Sequence, residues 1–149
     1  MNGPDIMDFT TLAFFAAALS ASALFGGMIF FPTVVAPKVF KTLEAETAGR
    51  FLRNLFPAYY AFLIIAGAVC AFALMAVGSI WAWAAWIIAA SALGVRALLV
   101  PRINAWRDAD LAGEAGAKAK FDAGHRASVL INFVQLGLAS ALVYVLIAG

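Results

Sequence analysis

Four stretches of this chain are each long and apolar enough to cross a lipid bilayer, and that leaves it little else to become. A spanning helix needs about 20 mostly apolar residues. The first stretch runs from about residue 9 to 35 and carries no charge; the others run from about 59 to 77, 80 to 100 and 128 to 148. Composition closes the alternatives. Of the 149 residues, 65% are hydrophobic and only 12% are charged, against roughly 25% in soluble domains. A soluble domain of this length buries about 70% of its unfolded surface and could not hide so much apolar area. Disorder needs the opposite balance, low hydrophobicity with high net charge. The sequence therefore predicts an all-α integral membrane protein, one domain over 1–149 built as an antiparallel four-helix bundle with the lipid bilayer as its solvent. Its formal charge of +2 gives no reason to expect a nucleic-acid partner.

The connections set the topology. Val77-Gly78-Ser79-Ile80 is too short for anything but an antiparallel hairpin. The other two connections, about 36–57 and 101–127, carry the basic side chains. The first holds Lys38, Lys41, Arg50 and Arg53; the second holds Arg102, Arg107, Lys118, Lys120 and Arg126, with Arg96 one turn inside the third span. All ten Lys and Arg thus lie at one end. Cytoplasmic loops carry such an excess, so both basic loops are expected in the cytoplasm and both termini on the periplasmic or exoplasmic side, in the inner (plasma) membrane if the cell is bacterial. Asp5 and Asp8 stand where a signal peptide would be basic, and the apolar run is too long for one, so the first span is expected to be retained. From Val39 to Phe56 apolar residues recur with helical period, which predicts either an extension of the first span or an interfacial helix. The Ala- and Gly-rich run 108–120 is expected to be a frayed helical hairpin arm, the most mobile part of the chain.

Within the spans, polar and small residues carry the information. Helices in a bilayer pack through small residues and shared hydrogen bonds. Ala18, Ser22 and Gly26 stand four apart on the first span and are expected to form its packing stripe, followed by Gly27 and a helix-disturbing Pro32. His125, Ser128, Asn132 and Gln135 lie at offsets of 0, 3, 7 and 10, which at about 100° per residue places them within about 80° of arc. Unpaired amides are costly in hydrocarbon, so this face should turn inward, as a hydrogen-bonded seam or as the lining of a path for a small solute. His125, the only histidine, is expected near the cytoplasmic boundary, bonded to a neighbour or acting as a pH-sensitive gate. Arg96 can snorkel to the interface or pair with Glu44, Glu46 or carbonyls freed by Pro101. Trp81, Trp83 and Trp86 suit the outer interface and Trp106 the inner one. Cys70, the only cysteine, reads as a packing residue. No catalytic set, metal-ligand cluster or phosphate loop is legible, and Met1, Met7, Met28 and Met75 do not cluster. No catalytic residue, metal or cofactor is therefore expected.

Three patterns together resemble one family. They are Asn54-Leu55-Phe56-Pro57-Ala58-Tyr59-Tyr60 at the start of the second span, Leu99-Val100-Pro101-Arg102 leaving the third, and His125-x-x-Ser128-x-x-x-Asn132 opening the fourth. In order and spacing, from Gly27 to Gln135, they are similar to the four-span family of transmembrane protein 205, whose bacterial members form a domain of unknown function. The animal member's association with resistance to platinum drugs implies export or trafficking of metal compounds. A more distant similarity links the fold to copper-resistance D-like membrane proteins and to membrane protoporphyrinogen oxidases that hold haem, although one histidine cannot supply paired axial ligands.

Residues and resemblance together predict a non-enzymatic membrane protein that handles or transports a small solute or metal compound, alone or as a homo-oligomer. Its ligand or solute path would run along His125, Ser128, Asn132 and Gln135, with Arg96, Arg102 and Tyr59 at the cytoplasmic mouth. The alternative is an accessory subunit of a larger membrane complex in which the polar face is purely structural. Behind both stands a haem- or quinone-dependent oxidoreductase.

Overall fold

A computed structural model describes residues 8–148; Asp5, Met1, Met7 and Gly149 lie outside the described residues. Asp8 opens the first helix, its Oδ1 accepting the Thr11 backbone N–H at 2.7 Å, as an N-cap side chain does. That bond holds the Asp8 carboxyl below the usual carboxylate range. Four helices follow: α1 (Phe9–Thr42), α2 (Ala45–Ala76), α3 (Ala82–Leu111) and α4 (Ala117–Ala148), each long and apolar enough to cross a membrane. No strand occurs among the described residues. The protein is an all-α four-helix membrane bundle.

Two of the three helix connections are closed by a glycine turn. After α2 the Ser79 N–H reaches back to the Leu74 carbonyl and the Gly78 N–H to that of Met75, with Gly78 at φ +68°. After α3 the same pattern uses Glu114 on Ala109 and Gly113 on Asp110, with Gly113 at φ +82°. This is the Schellman stop, whose left-handed residue is glycine because a Cβ there is strained.

Proline shapes α1 and α3 in the same way. Both helices widen to a single π turn, at Phe31–Val35 and Val95–Leu99, where the Ala36 N–H bonds the Phe31 carbonyl and the Val100 N–H that of Val95. Pro37 and Pro101 each stand four residues beyond a residue of that turn, Thr33 and Ala97. A regular helix would drive that residue's carbonyl into the proline ring, and the extra residue in the turn relieves the clash. Pro32 sits inside the first wide turn.

The helices pack as a closed ring, α1 on α2, α2 on α3, α3 on α4 and α4 on α1, with no backbone approach across either diagonal among the described residues. This is the up-and-down bundle that short connections dictate. The shared core holds Ala17, Ala21, Leu24, Leu63, Cys70, Ala71, Ala85, Ile88, Ala92, Ala139 and Leu142. Alanine dominates because in lipid, where apolar side chains gain little by leaving the solvent, close backbone contact does the packing. Gly67 shows it best: a Cβ there would meet the Ala89 backbone nitrogen at 3.2 Å and the Ala85 carbonyl oxygen at 3.3 Å. Cys70 is buried in this core, its thiol 3.7 Å from the Ala17 carbonyl oxygen.

The stripe expected to pack α1 does not do so within the chain. Ser22 and Gly26 are exposed, Ala18 is half-buried, and a Cβ at Gly26 would meet nothing within 4 Å. The inward face is instead Ala13, Ala17, Ala21, Leu24 and Met28. Spacing alone could not choose, because an Ala-rich helix has four-residue runs of small side chains on more than one face.

The basic connections are mostly helix. Residues 36–57 complete α1 and begin α2, meeting at a turn of Leu43 and Glu44. A second small core of Val39, Ala48 and Leu52, packed by Phe31, Val35, Leu43, Leu55 and Phe56, holds the two ends together. That is the extension rather than a separate interfacial helix. Residues 101–127 likewise complete α3 and begin α4 around a turn at 112–116. Arg53 on α2 grips Asp108 on α3 through two hydrogen bonds of 2.7 and 3.2 Å, tying the two hairpins at this end and holding the Asp108 carboxyl below its usual range.

Candidate functional site on the fourth helix

Helical periodicity turns one face of α4 inward, burying Ser128, Gln135, Ala139 and Leu142. Asn132, between them, is half-buried and is the centre of a network. Its Nδ2 donates to the Tyr60 hydroxyl at 2.9 Å and to the Ser128 carbonyl of its own helix at 2.9 Å. Its Oδ1 accepts from the Tyr59 hydroxyl at 3.4 Å. These side chains bridge α2 and α4, whose backbones do not approach among the described residues, so they span the bundle's diagonal. Tyr60 is 2% exposed.

Aromatic packing holds the two tyrosines in place. The Phe31 ring, at the start of the α1 π turn, lies 4.8 Å from Tyr59 and 5.5 Å from Phe56, centre to centre. Tyr59 and Tyr60 meet edge to face at 5.4 Å. Thus α1, α2 and α4 all contribute to this region.

One turn deeper, Gln135 crosses to α3. Its Nε2 donates to the Ser91 hydroxyl at 2.8 Å and, more weakly, to the Ile88 carbonyl at 3.4 Å. Ser91 passes its own proton to the Ile87 carbonyl at 2.6 Å. Gln135 is 1% exposed, and among the described residues no group donates to its Oε1. A buried acceptor left unpaired costs about 1–3 kcal/mol. Beside it, a lateral groove of about 270 Å³ between α3 and α4 is lined by Ile87, Ser91, Leu130, Ile131, Val134, Gln135 and Leu138.

The structure therefore brings together Tyr59, Ser128, Asn132 and Gln135, but not the whole expected set. His125 is exposed: its ring stacks on Phe121 at 6.2 Å, and only its backbone carbonyl joins the face, accepting the Ser128 hydroxyl at 2.8 Å. Arg96 is exposed and donates from Nε to the Pro57 carbonyl of α2 at 3.1 Å, not to Glu44, Glu46 or a carbonyl near Pro101. Arg102 is exposed and makes no ion pair among the described residues. Tyr60 and Ser91 were not in the expected set. Ser91 was legible as the only hydroxyl or amide between residues 80 and 100. Tyr60 was legible only as half of a Tyr-Tyr pair, in which sequence cannot say which ring faces inward.

Chemically, this face offers neutral hydroxyl and amide groups. It can exchange hydrogen bonds with a solute; it presents no nucleophile activated by a base. Among the described residues no three His, Cys, Asp or Glu side chains come together in a way that could hold a metal ion.

Comparison with known proteins gives a family-model match over residues 19–110, to a domain of unknown function (DUF4149). No curated protein and no solved structure matches. The matched region holds Tyr59, Tyr60, Ser91 and Arg96 but ends before α4.

Proposed function

The chain belongs to the DUF4149 family, a domain of unknown function, and from its own geometry we propose that it is a non-enzymatic membrane protein that handles a small solute on the inward polar face of α4. One observation carries this: Asn132 gathers the hydroxyls of Tyr59 and Tyr60 across the bundle diagonal, at 3.4 and 2.9 Å. At 3.4 Å the Tyr59 contact is longer than an ordinary O–H···O bond, so a solute oxygen or N–H group can take its place without a strong bond being broken. The basic end, with Arg96 and Arg102, lies in the cytoplasm, and both termini face the other side of a bacterial inner membrane. Similarity to the transmembrane protein 205 and copper-resistance D-like families extends the candidate solutes to metal compounds. Such a compound would bind whole, through hydrogen bonds to its outer ligands, since the face offers hydroxyls and amides.

The test compares cells lacking the protein with cells restored by wild type or by Asn132→Leu, across a panel of metal compounds and small amphiphiles. Wild type should restore tolerance to at least one compound, and Asn132→Leu, made at the same level, should not. A stable Asn132→Leu protein that restores every phenotype would overturn the proposal.

A second reading, assembly with copies of itself or with a larger membrane complex, draws on α4. In its most apolar 18 residues only 17% are buried, against 33% in each of the other helices. Co-purification of a partner at fixed stoichiometry in mild detergent would favour it.

A further inference from the structure

Arg96 is a guanidinium without a counter-ion. It is exposed, its Nε donates to the Pro57 carbonyl of α2 at 3.1 Å, and its two Nη groups have no hydrogen-bond or ion-pair partner among the described residues. Asp108, the carboxylate that links α2 and α3 at this end, is already held by both Nη groups of Arg53. Helix geometry sets the depth of the charge. At about 1.5 Å per residue, Pro57 lies roughly 28 Å from the outer end of α2 at Ala76, but the Arg96 backbone lies only about 21 Å from the outer end of α3 at Ala82. The hydrocarbon core is about 30 Å thick. The Arg96 stem therefore rises along apolar surface from within the core, and the Pro57 carbonyl holds its head where the lipid headgroups begin. A cation at that level needs an anion.

We infer that Arg96 binds the phosphate of an anionic phospholipid where α2 meets α3, its Nη fork on two phosphate oxygens. A planar fork of parallel N–H groups matches a phosphate as a point charge does not. Asn54, one turn before Pro57 on the same side of α2, is exposed and its amide makes no hydrogen bond among the described residues, so it stands ready as a further donor. Charge selects the class of lipid. At this end of the bundle six basic side chains make no ion pair among the described residues, against two carboxylates, Glu44 and Glu114. A zwitterionic headgroup brings its own cation to that surface; an anionic one does not. The inference needs only that the bundle sit in a bilayer and does not draw on the α4 network.

The test is native mass spectrometry of the purified full chain in detergent, titrated with phosphatidylglycerol and with phosphatidylcholine of the same acyl chains. Wild type should hold one phosphatidylglycerol more tightly than phosphatidylcholine. Arg96→Gln should weaken phosphatidylglycerol about tenfold, the worth of one charge-assisted hydrogen bond. Arg96→Lys, which keeps the charge and loses the fork, should weaken it by less, and Arg126→Gln, which removes the same charge from α4, should change little. Phosphatidylglycerol should also raise the melting temperature of wild type more than that of Arg96→Gln. Equal binding of the two lipids would overturn the inference. So would equal losses from Arg96→Gln and Arg126→Gln, which would mean a diffuse attraction to the basic end. Displacement of bound phosphatidylglycerol by glycerol 3-phosphate would overturn it too, by making the occupant a water-soluble phosphate. If Arg96→Gln does not fold, Arg96→Lys decides, and an affinity equal to wild type counts against the fork.

Discussion

Gln135 is the residue at which stability and use pull apart. Its amide is buried for the sake of one good bond to Ser91 while its oxygen remains unpaired. Gln135→Met should therefore leave the thermal stability of the detergent-solubilised protein unchanged or raise it, by up to about 1–3 kcal/mol, the cost of the unpaired acceptor. Ser91→Ala, which leaves the amide nitrogen only its weak 3.4 Å bond to the Ile88 carbonyl, should lower it by about 1 kcal/mol. A Gln135→Met protein that melts well below wild type would mean the oxygen is satisfied after all. Much of this face was legible in the sequence, because a 100° step per residue puts Ser128, Asn132 and Gln135 on one side of any regular helix. His125 stood at the margin of that arc, and near the bundle's end nothing covers the margin. Its ring turned out to Phe121 instead. Tyr60 and the Gln135–Ser91 bond depend on how helices rotate against one another, which no single helix's pattern contains.

At the scale of elements, small residues and prolines decide the geometry. The close approach of α2 and α3 passes through Gly67, whose Cβ position faces backbone atoms that cannot give way. Gly67→Leu should destabilise the bundle by about 1–3 kcal/mol, the usual cost of overpacking, as read by thermal melting in detergent. Gly26→Leu, on a face where a Cβ meets nothing within 4 Å, should change little. Equal losses at both would mean that α1 packs on a neighbour through its outer stripe. Helix content and number were readable because apolar length is hard to misread. The wide turns before Pro37 and Pro101 were not, since proline predicts a disturbance without saying whether the helix bends, breaks or widens. The connections are mostly helix, as the helical period from Val39 to Phe56 predicts, because the helices continue beyond the apolar region into the charged residues. The Arg53–Asp108 fork adds a pH dependence there. Asp108's folded pKa lies below the ordinary 3.8, so its contribution is present above that value and fades as pH falls through the lower folded one. Acidification should thus lower the melting temperature in that range by more in wild type than in Arg53→Met. Both groups are substantially exposed, so salt should weaken the effect.

For the whole molecule, every structural choice presupposes a bilayer. The outer faces of α1 to α4 carry Phe15, Leu19, Phe72, Trp83, Leu98, Phe133 and Ile147 at exposures no aqueous surface would keep together. Hydroxyls that point away from the network, Ser20, Thr33 and Ser140, bond the carbonyl four residues back on their own helix, as they must where water is absent. The ten basic side chains give the bundle a single polarity, with the Tyr59–Tyr60–Asn132 network toward the basic end and the Gly78 turn at the other. Membrane insertion with that polarity is the premise of the solute face. It is tested most directly by labelling two introduced cysteines with a membrane-impermeant maleimide in intact cells, with Cys70 replaced by alanine. Ser79→Cys should be labelled in intact cells, and Ala115→Cys only after the membrane is permeabilised. Labelling of both positions to the same extent in intact cells would contradict an even-numbered bundle held across the bilayer with its basic end inside.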